Sequence, residues 1–311
     1  MAGDPADLYQ ASPAAHEAAP DLVMLYYLDG FIDAGSAGRQ LATHLLASLE
    51  HTEVGRFDAD SLIDYRSRRP AMIFAKDHWE SVEIPEIAVH LLRDAKGTPF
   101  LLLNGLEPDR EWERFSQAVL GLCDTLKVRL TANFHGIPMG VPHTRPLGIT
   151  GHATLPKLIE GYQPLVDRLQ VPGSATALIE FRMGEAGRAA VGFAVHVPHY
   201  LAHASYPAAA ITLLAAVERA TGLDLPTEAL REAAELTDAE IARQVAGSEE
   251  VTEVVRSLES QYDAFTSERQ ELLADQPENM PTAEELGAQF ERFLAEQAGS
   301  GGSGGADTPD T

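Results

Sequence analysis

Residues 22–28, Leu22-Val-Met-Leu-Tyr-Tyr-Leu28, form an unbroken apolar run of strand-favouring types, the pattern of a strand buried on both faces. The run breaks at Asp29-Gly30. A loop with Gly35 and Gly38 follows, and then Leu41, Leu45, Leu46 and Leu49 recur at helical spacing. Strand, glycine-bearing turn and helix open a βαβ unit. The pattern predicts further strands at 54–57, 71–75, 88–92, 100–103, 128–134, 147–150, 176–181 and 191–197. Asp94-Ala-Lys-Gly97 is turn chemistry between two apolar runs and reads as a hairpin, which makes the sheet mixed. Helices are predicted over 112–126, 155–169 and 208–220. The expected fold class is α/β, a mixed central sheet covered by helices on both faces.

After Gly222 the texture changes: glycine nearly vanishes until Gly287 and no strand-like run appears. Thr237-Asp-Ala-Glu240 and Thr282-Ala-Glu-Glu285 have the capping-box form and predict helix starts. Val251, Val255, Leu258 and Tyr262 make an amphipathic stripe. Residues 1–20, rich in Ala, Asp and Pro, read as a disordered leader, and the Gly/Ser run from Gly299 to Gly305 opens a flexible tail, 299–311. The expected organisation is an α/β domain over 21–223 followed by an acidic helical subdomain over 224–298.

Charge narrows the function classes. The net charge is −24. From Asp224 to Thr311 there are 21 acidic residues against 5 basic ones, a net −16. Binding to a nucleic-acid backbone needs clustered Lys and Arg, so nucleic acid is not an expected partner. The apolar runs are far too short to cross a bilayer, and the first 20 residues lack the features of a secretion signal. The single cysteine, Cys123, excludes an intrachain disulfide and sits on the apolar face of a predicted helix with Val119, Leu122 and Leu126. A cytoplasmic protein without membrane contact is expected.

Several segments have residue types that carry chemistry. Gly30 and Gly35 have the spacing of a phosphate loop, but Ser36 and Ala37 stand where Lys and Ser/Thr belong. A tight strand-to-helix turn is the reading that remains. His199 and His203 lie one turn apart if a helix starts near His199, which is zinc-ligand spacing, yet no acidic residue follows closely. They are weak metal candidates, and histidines hydrogen-bonded at a strand end are the simpler reading. His143 and Arg145, held between Pro142 and Pro146, suit recognition of a carboxylate or other anion, or equally an internal salt bridge. Glu107 follows a strand end, and Asp109 has the position of a helix cap. No serine-nucleophile elbow and no cofactor motif is present, so no cofactor is expected.

Read in order, several segments resemble the actinobacterial branch of the proteasome assembly chaperone superfamily. They are Leu28-Asp-Gly-Phe-Ile-Asp-Ala-Gly35, the stretch from Phe57 to Pro70, Leu102-Leu-Asn-Gly-Leu-Glu-Pro-Asp-Arg-Glu-Trp112, Gly140-Val-Pro-His-Thr-Arg-Pro146, and Val197-Pro-His-Tyr-Leu-Ala202 with Tyr206-Pro-Ala behind it. The resemblance covers roughly residues 22–235. It implies a three-layer αβα body of phosphorylase/hydrolase-like type and a homo-oligomer, with a trimer favoured. It also implies proteasome-related protein partners. It marks Asp33, Glu107, His143, Arg145 and His199 as motif members that could line a cleft at the strand ends. One feature departs from the pattern: the final residues, Thr308-Pro-Asp-Thr311, lack the hydrophobic–Tyr–any-residue tail by which such chaperones dock. The expectation is therefore a chemically silent assembly-chaperone-like or adaptor protein. The alternative is a phosphorylase/hydrolase-type enzyme or small-anion-binding protein using the strand-end loops.

Overall fold

A computed structural model of the chain describes residues 3–12, 21–164 and 168–275, with side chains through Ser267. One sheet of eight strands dominates it: β1 (Tyr9–Ala11), β2 (Leu22–Asp29), β3 (His51–Phe57), β6 (Ile87–Arg93), β7 (Pro99–Leu106), β8 (Val128–Met139), β9 (Ile149–Ala153) and β10 (Ala190–Pro198). Their order is β1-β3-β6-β7-β2-β8-β10-β9, while β4 (Met72–Ala75) and β5 (His78–Val82) form a separate hairpin. The middle strands β7, β2, β8 and β10 are mutually parallel, and β6 and β9 flank them antiparallel. This arrangement brings the carboxyl ends of β2, β7, β8 and β10 to one edge, where open α/β sheets hold their ligands.

The apolar run of β2 follows from its place. It lies between β7 and β8 with helices on both sides, and Leu22 to Leu28 are all buried. On one face Leu25, Leu102, Phe134 and Phe193 pack with α1 (Ala37–Ser48), α5 (Pro207–Thr221) and α6 (Glu228–Ala246). On the other, Met24, Tyr26, Leu101 and Leu103 pack with α3 (Trp112–Thr125) and α4 (Ala175–Glu185). Cys123 is fully buried in that second layer, and burial pushes its thiol up to about 12. A single short helix, α2 (Ala59–Leu62), follows β3, and α7 (Glu249–Asp275) follows α6. The chain clusters into two compact units. Residues 1–162 and 172–262 make the first, and residues 163–171 and 263–311 the second. The three-layer mixed α/β body belongs to the first, and the second contains the final part of α7.

Several expected elements differ. Residues 176–181, read as a strand, lie in helix α4: Ser174 caps it, accepting from the Ala177 N–H at 3.1 Å, and Ala175, Ile179 and Met183 bury themselves at a spacing of four. Where a helix is expected at 155–169, the described residues hold a 3-10 turn, Pro156–Ile159, followed by Gly161 at φ 86°, and residues 165–167 lie outside the described ones. Thr237 does not start a helix. It lies inside α6 with its hydroxyl donated to the Ala233 carbonyl, and Leu230, Ala234 and Ile241 hold that helix to the body. The predicted 147–150 strand is displaced to Ile149–Ala153, and β5 was not foreseen. Within the supposed leader, Pro5–Leu8 forms a turn that buries Leu8, and β1 pairs with β3. The second capping box and the Gly/Ser tail lie outside the described residues.

Candidate functional site

Four loops meet the strand-end edge: residues 30–36 after β2, 107–111 after β7, 140–148 after β8 and 199–206 after β10. Each holds a candidate. Asp33, in the first, lies just before α1, and its carboxylate is filled by four donors. Oδ1 accepts from the Gly38 and Gly136 amides, both at 2.9 Å. Oδ2 accepts from the Arg39 amide and the Tyr27 hydroxyl, both at 3.0 Å. The free amides that a phosphate would use at this helix start are thus already bonded. The turn itself is locked: the Gly35 N–H donates to Ala202 O, and the Tyr206 N–H donates to Gly35 O, each at 2.9 Å. Gly35 sits at φ 67°, a conformation only glycine takes freely. The Asp29 carboxylate accepts from Arg39 at both oxygens, each at 2.8 Å, and from the Tyr27 hydroxyl at 3.3 Å.

Glu107 is buried, 6 % exposed. Its Oε1 accepts the Ala175 N–H at 2.7 Å, joining the end of β7 to the start of α4. Burial raises its pKa, against the pull of that amide and of Arg68. Arg68 reaches the same place, donating to the Asp29 and Glu107 carbonyls at 3.2 and 3.1 Å and pairing with Asp109 at 3.1 Å. Asp109 also accepts the Asp64 N–H at 2.8 Å. It is therefore a tie to the 57–70 segment and not the cap of α3, whose N-cap is Glu111.

His143 and His199 meet on Tyr200. The phenol lies 2.8 Å from His143 Nδ1 and accepts the His143 N–H at 2.9 Å, and the two imidazole rings stand edge-on to it at 5.9 and 5.4 Å. Burial holds His143 below the usual imidazole value, against Asp238 and Glu259. Arg145 does find a carboxylate, but an internal one: Glu259 of α7, at 3.4 Å. Thr144 donates to the same Glu259, and the Tyr262 hydroxyl donates to Pro146 O at 3.0 Å, so the 142–146 loop is pinned to α7. The candidates thus fall into two sets. Asp33 and Glu107 lie around Asp29, and His143 and His199 lie around Tyr200 with Arg145 beside them. No hydrogen bond or ring contact links the two sets among the described residues.

The zinc-like spacing fails. His199 starts a single 3-10 turn, His199–Leu201, and α5 begins only at Pro207, so His199 and His203 do not share an α-helical face. Among the described residues no group of three or more His, Cys, Asp or Glu could hold a metal ion. One surface hollow of about 670 Å³ lies beside Leu49 and His51, and another of about 340 Å³ lies between the 199–206 loop, at Leu201 and Ser205, and α6, at Leu236 and Ile241. Neither is lined by any of the five candidates.

Sequence reasoning missed a second polar group on the α4 face of the sheet. Asn133, 1 % exposed, donates to Glu180 at 2.7 Å and to the Tyr26 hydroxyl at 3.0 Å, and His152 Nδ1 lies 2.8 Å from Glu180. His135 lies two residues along β8. Its pKa is lowered to about 4, chiefly by burial and then by His152, against Asp33 and Glu180. The alternation Thr131, Asn133, His135 in an otherwise apolar run was the available signal.

The fold is a three-layer α/β body whose strand-end side chains Asp33, Glu107, His143 and Arg145 are bonded to other parts of the same chain. The chain belongs to the PAC2 family, which it matches over residues 27–245. It is similar to a Mycobacterium tuberculosis protein of unknown function, Rv2714, at 46% identity and a TM-score of 0.82, covering 96% of this chain and 98% of that one. A Corynebacterium glutamicum protein of unknown function is 35% identical with a TM-score of 0.79, covering 83% of this chain and 97% of that one. The Mycobacterium tuberculosis proteasome-assembly chaperone homologue Rv2125 is 27% identical with a TM-score of 0.69, covering 75% of this chain and 100% of that one. No curated protein matches. Among the described residues no helix is long and apolar enough to cross a membrane.

Proposed function

We propose that the protein is an assembly-chaperone-like or adaptor protein of the cytoplasm, a homo-oligomer (a trimer by preference) that works through its surfaces. The observation that supports this most is the state of the strand-end residues. Asp33 is saturated by four donors, Glu107 accepts the first amide of α4, Arg145 pairs with Glu259, and His143 bonds to Tyr200. Groups held this way position loops and have little freedom to act on a substrate. The similarity to a proteasome-assembly chaperone homologue makes proteasome subunits the first partners to test.

The acidic stretch over 224–298 is the proposed interaction module. Glu232, Glu235, Glu249 and Glu250 are exposed on α6 and α7. The test is native mass spectrometry of the purified chain mixed with purified proteasome α-subunits from the same organism. The expected result is a complex that Gln at these four positions weakens at least tenfold. Failure to form any complex removes the proteasome as partner. A complex indifferent to the four substitutions moves the interaction module elsewhere. The enzymatic alternative would gain support if Ala at His143 or Arg145 abolished binding of a small anion.

A further inference from the structure

The β4–β5 hairpin is the most exposed apolar element of the described chain. Met72, Ile73, Phe74, Trp79, Val82 and Ile84 are each 45–62% exposed. The strands pair only with each other. Phe74 lies opposite Trp79, their rings edge-on at 5.1 Å, and Met72 lies opposite Val82, so four apolar side chains share one face. An isolated two-stranded hairpin is marginal in water, and among the described residues no third strand pairs with this one. The four side chains of that face present on the order of 400 Å² of apolar surface, within the range a monomer shows as its largest patch. That is a large part of the roughly 800 Å² that each partner contributes to a stable interface.

Charge decides what covers it. Residues 66–86 contain four basic residues, Arg66, Arg68, Arg69 and Lys76, and four acidic ones, Asp77, Glu80, Glu83 and Glu86. The segment is neutral within a chain of net charge −24. Arg66, Arg69 and Lys76 are exposed and make no ion pair among the described residues. Two copies of so acidic a chain repel each other almost everywhere. A neutral, apolar arm with three available cations is where they can meet, its cations facing the neighbour's acidic surface.

We infer that the β4–β5 hairpin is an arm that seats on a second copy of this chain, an inference resting on the oligomeric reading above. In a ring of three the contact is heterologous, so each hairpin grips a different patch of its neighbour. The test is sedimentation velocity of the full chain across a concentration series, with Trp79 fluorescence read in parallel. In the wild type the mass should rise with concentration, and emission should shift to the blue over the same range. Phe74→Ser with Trp79→Ser should leave far-UV circular dichroism unchanged and weaken association at least 100-fold. A wild type monomeric throughout overturns both the oligomeric reading and this inference. An oligomeric wild type whose Trp79 stays exposed, or a double variant with unchanged mass, overturns the hairpin assignment alone.

Discussion

Asp33 shows how a carboxylate that resembles a ligand-binding residue becomes a structural one. It satisfies amides from α1 and from β8 at once, together with the Tyr27 hydroxyl. Asp33→Asn turns one acceptor into a donor facing N–H groups and should lower stability by about 1–3 kcal/mol, measured by urea unfolding. His135 gives a pH signature. Its folded pKa, about 4, lies below its ordinary value near 6.5, so the unfolded chain binds the proton more readily between those values. The stability it contributes is complete above about pH 6.5 and is lost as pH falls toward 4, on the order of 3 kcal/mol in full. His135→Gln should flatten the unfolding free energy across that window. An unchanged pH slope would show that other groups set it.

At the scale of elements, close approach matters more than propensity. A Cβ on Gly136 would lie 2.1 Å from the Ala34 carbonyl oxygen, so the turn before α1 can rest on β8 only if that position is bare. Gly136→Ala should cost about 3 kcal/mol or more. Gly121, inside α3 with nothing within 4 Å of its would-be Cβ, is the control: Gly121→Ala should stabilise by about 0.5–1 kcal/mol. The same distinction explains what could be read from sequence. β2, β8, β10, α3 and α5 were legible because their apolar periods match their burial on one face or two. Residues 176–181 were not, because the β-branched and aromatic types of α4 look like a strand until Glu107, 68 residues away, is known to hold its first amide. The candidate site was legible as residue types at loop positions. Its division into two sets depends on Tyr200, Arg39, Arg68 and Glu259, ordinary residues whose importance comes from where the fold brings them. Glu259→Ala tests one such link: amide exchange in the 142–146 loop should quicken about tenfold, the effect of roughly 1.4 kcal/mol of lost local protection.

For the whole molecule, a net charge of −24 sets the response to salt. Like-charged copies repel through dilute buffer, and that repulsion is screened as the Debye length falls from about 30 Å at 0.01 M to 3 Å at 1 M. Self-association should therefore strengthen with ionic strength, whereas the proposed capture of a partner by the acidic residues of α6 and α7, which attract a basic surface, should weaken. Sedimentation at two salt concentrations, with and without partner, separates the two. Opposite slopes would show that the molecule meets its own copies and its clients through different surfaces.

The strand order also sets a timetable for synthesis. β2 lies in the middle of the finished sheet and leaves the ribosome well before both its neighbours, β7 and β8, which begin at Pro99 and Val128. At about 5–20 residues per second, a strand apolar on both faces waits several seconds with both edges bare. A protein of a family that includes assembly-chaperone homologues thus begins its own life as a chain in need of shelter.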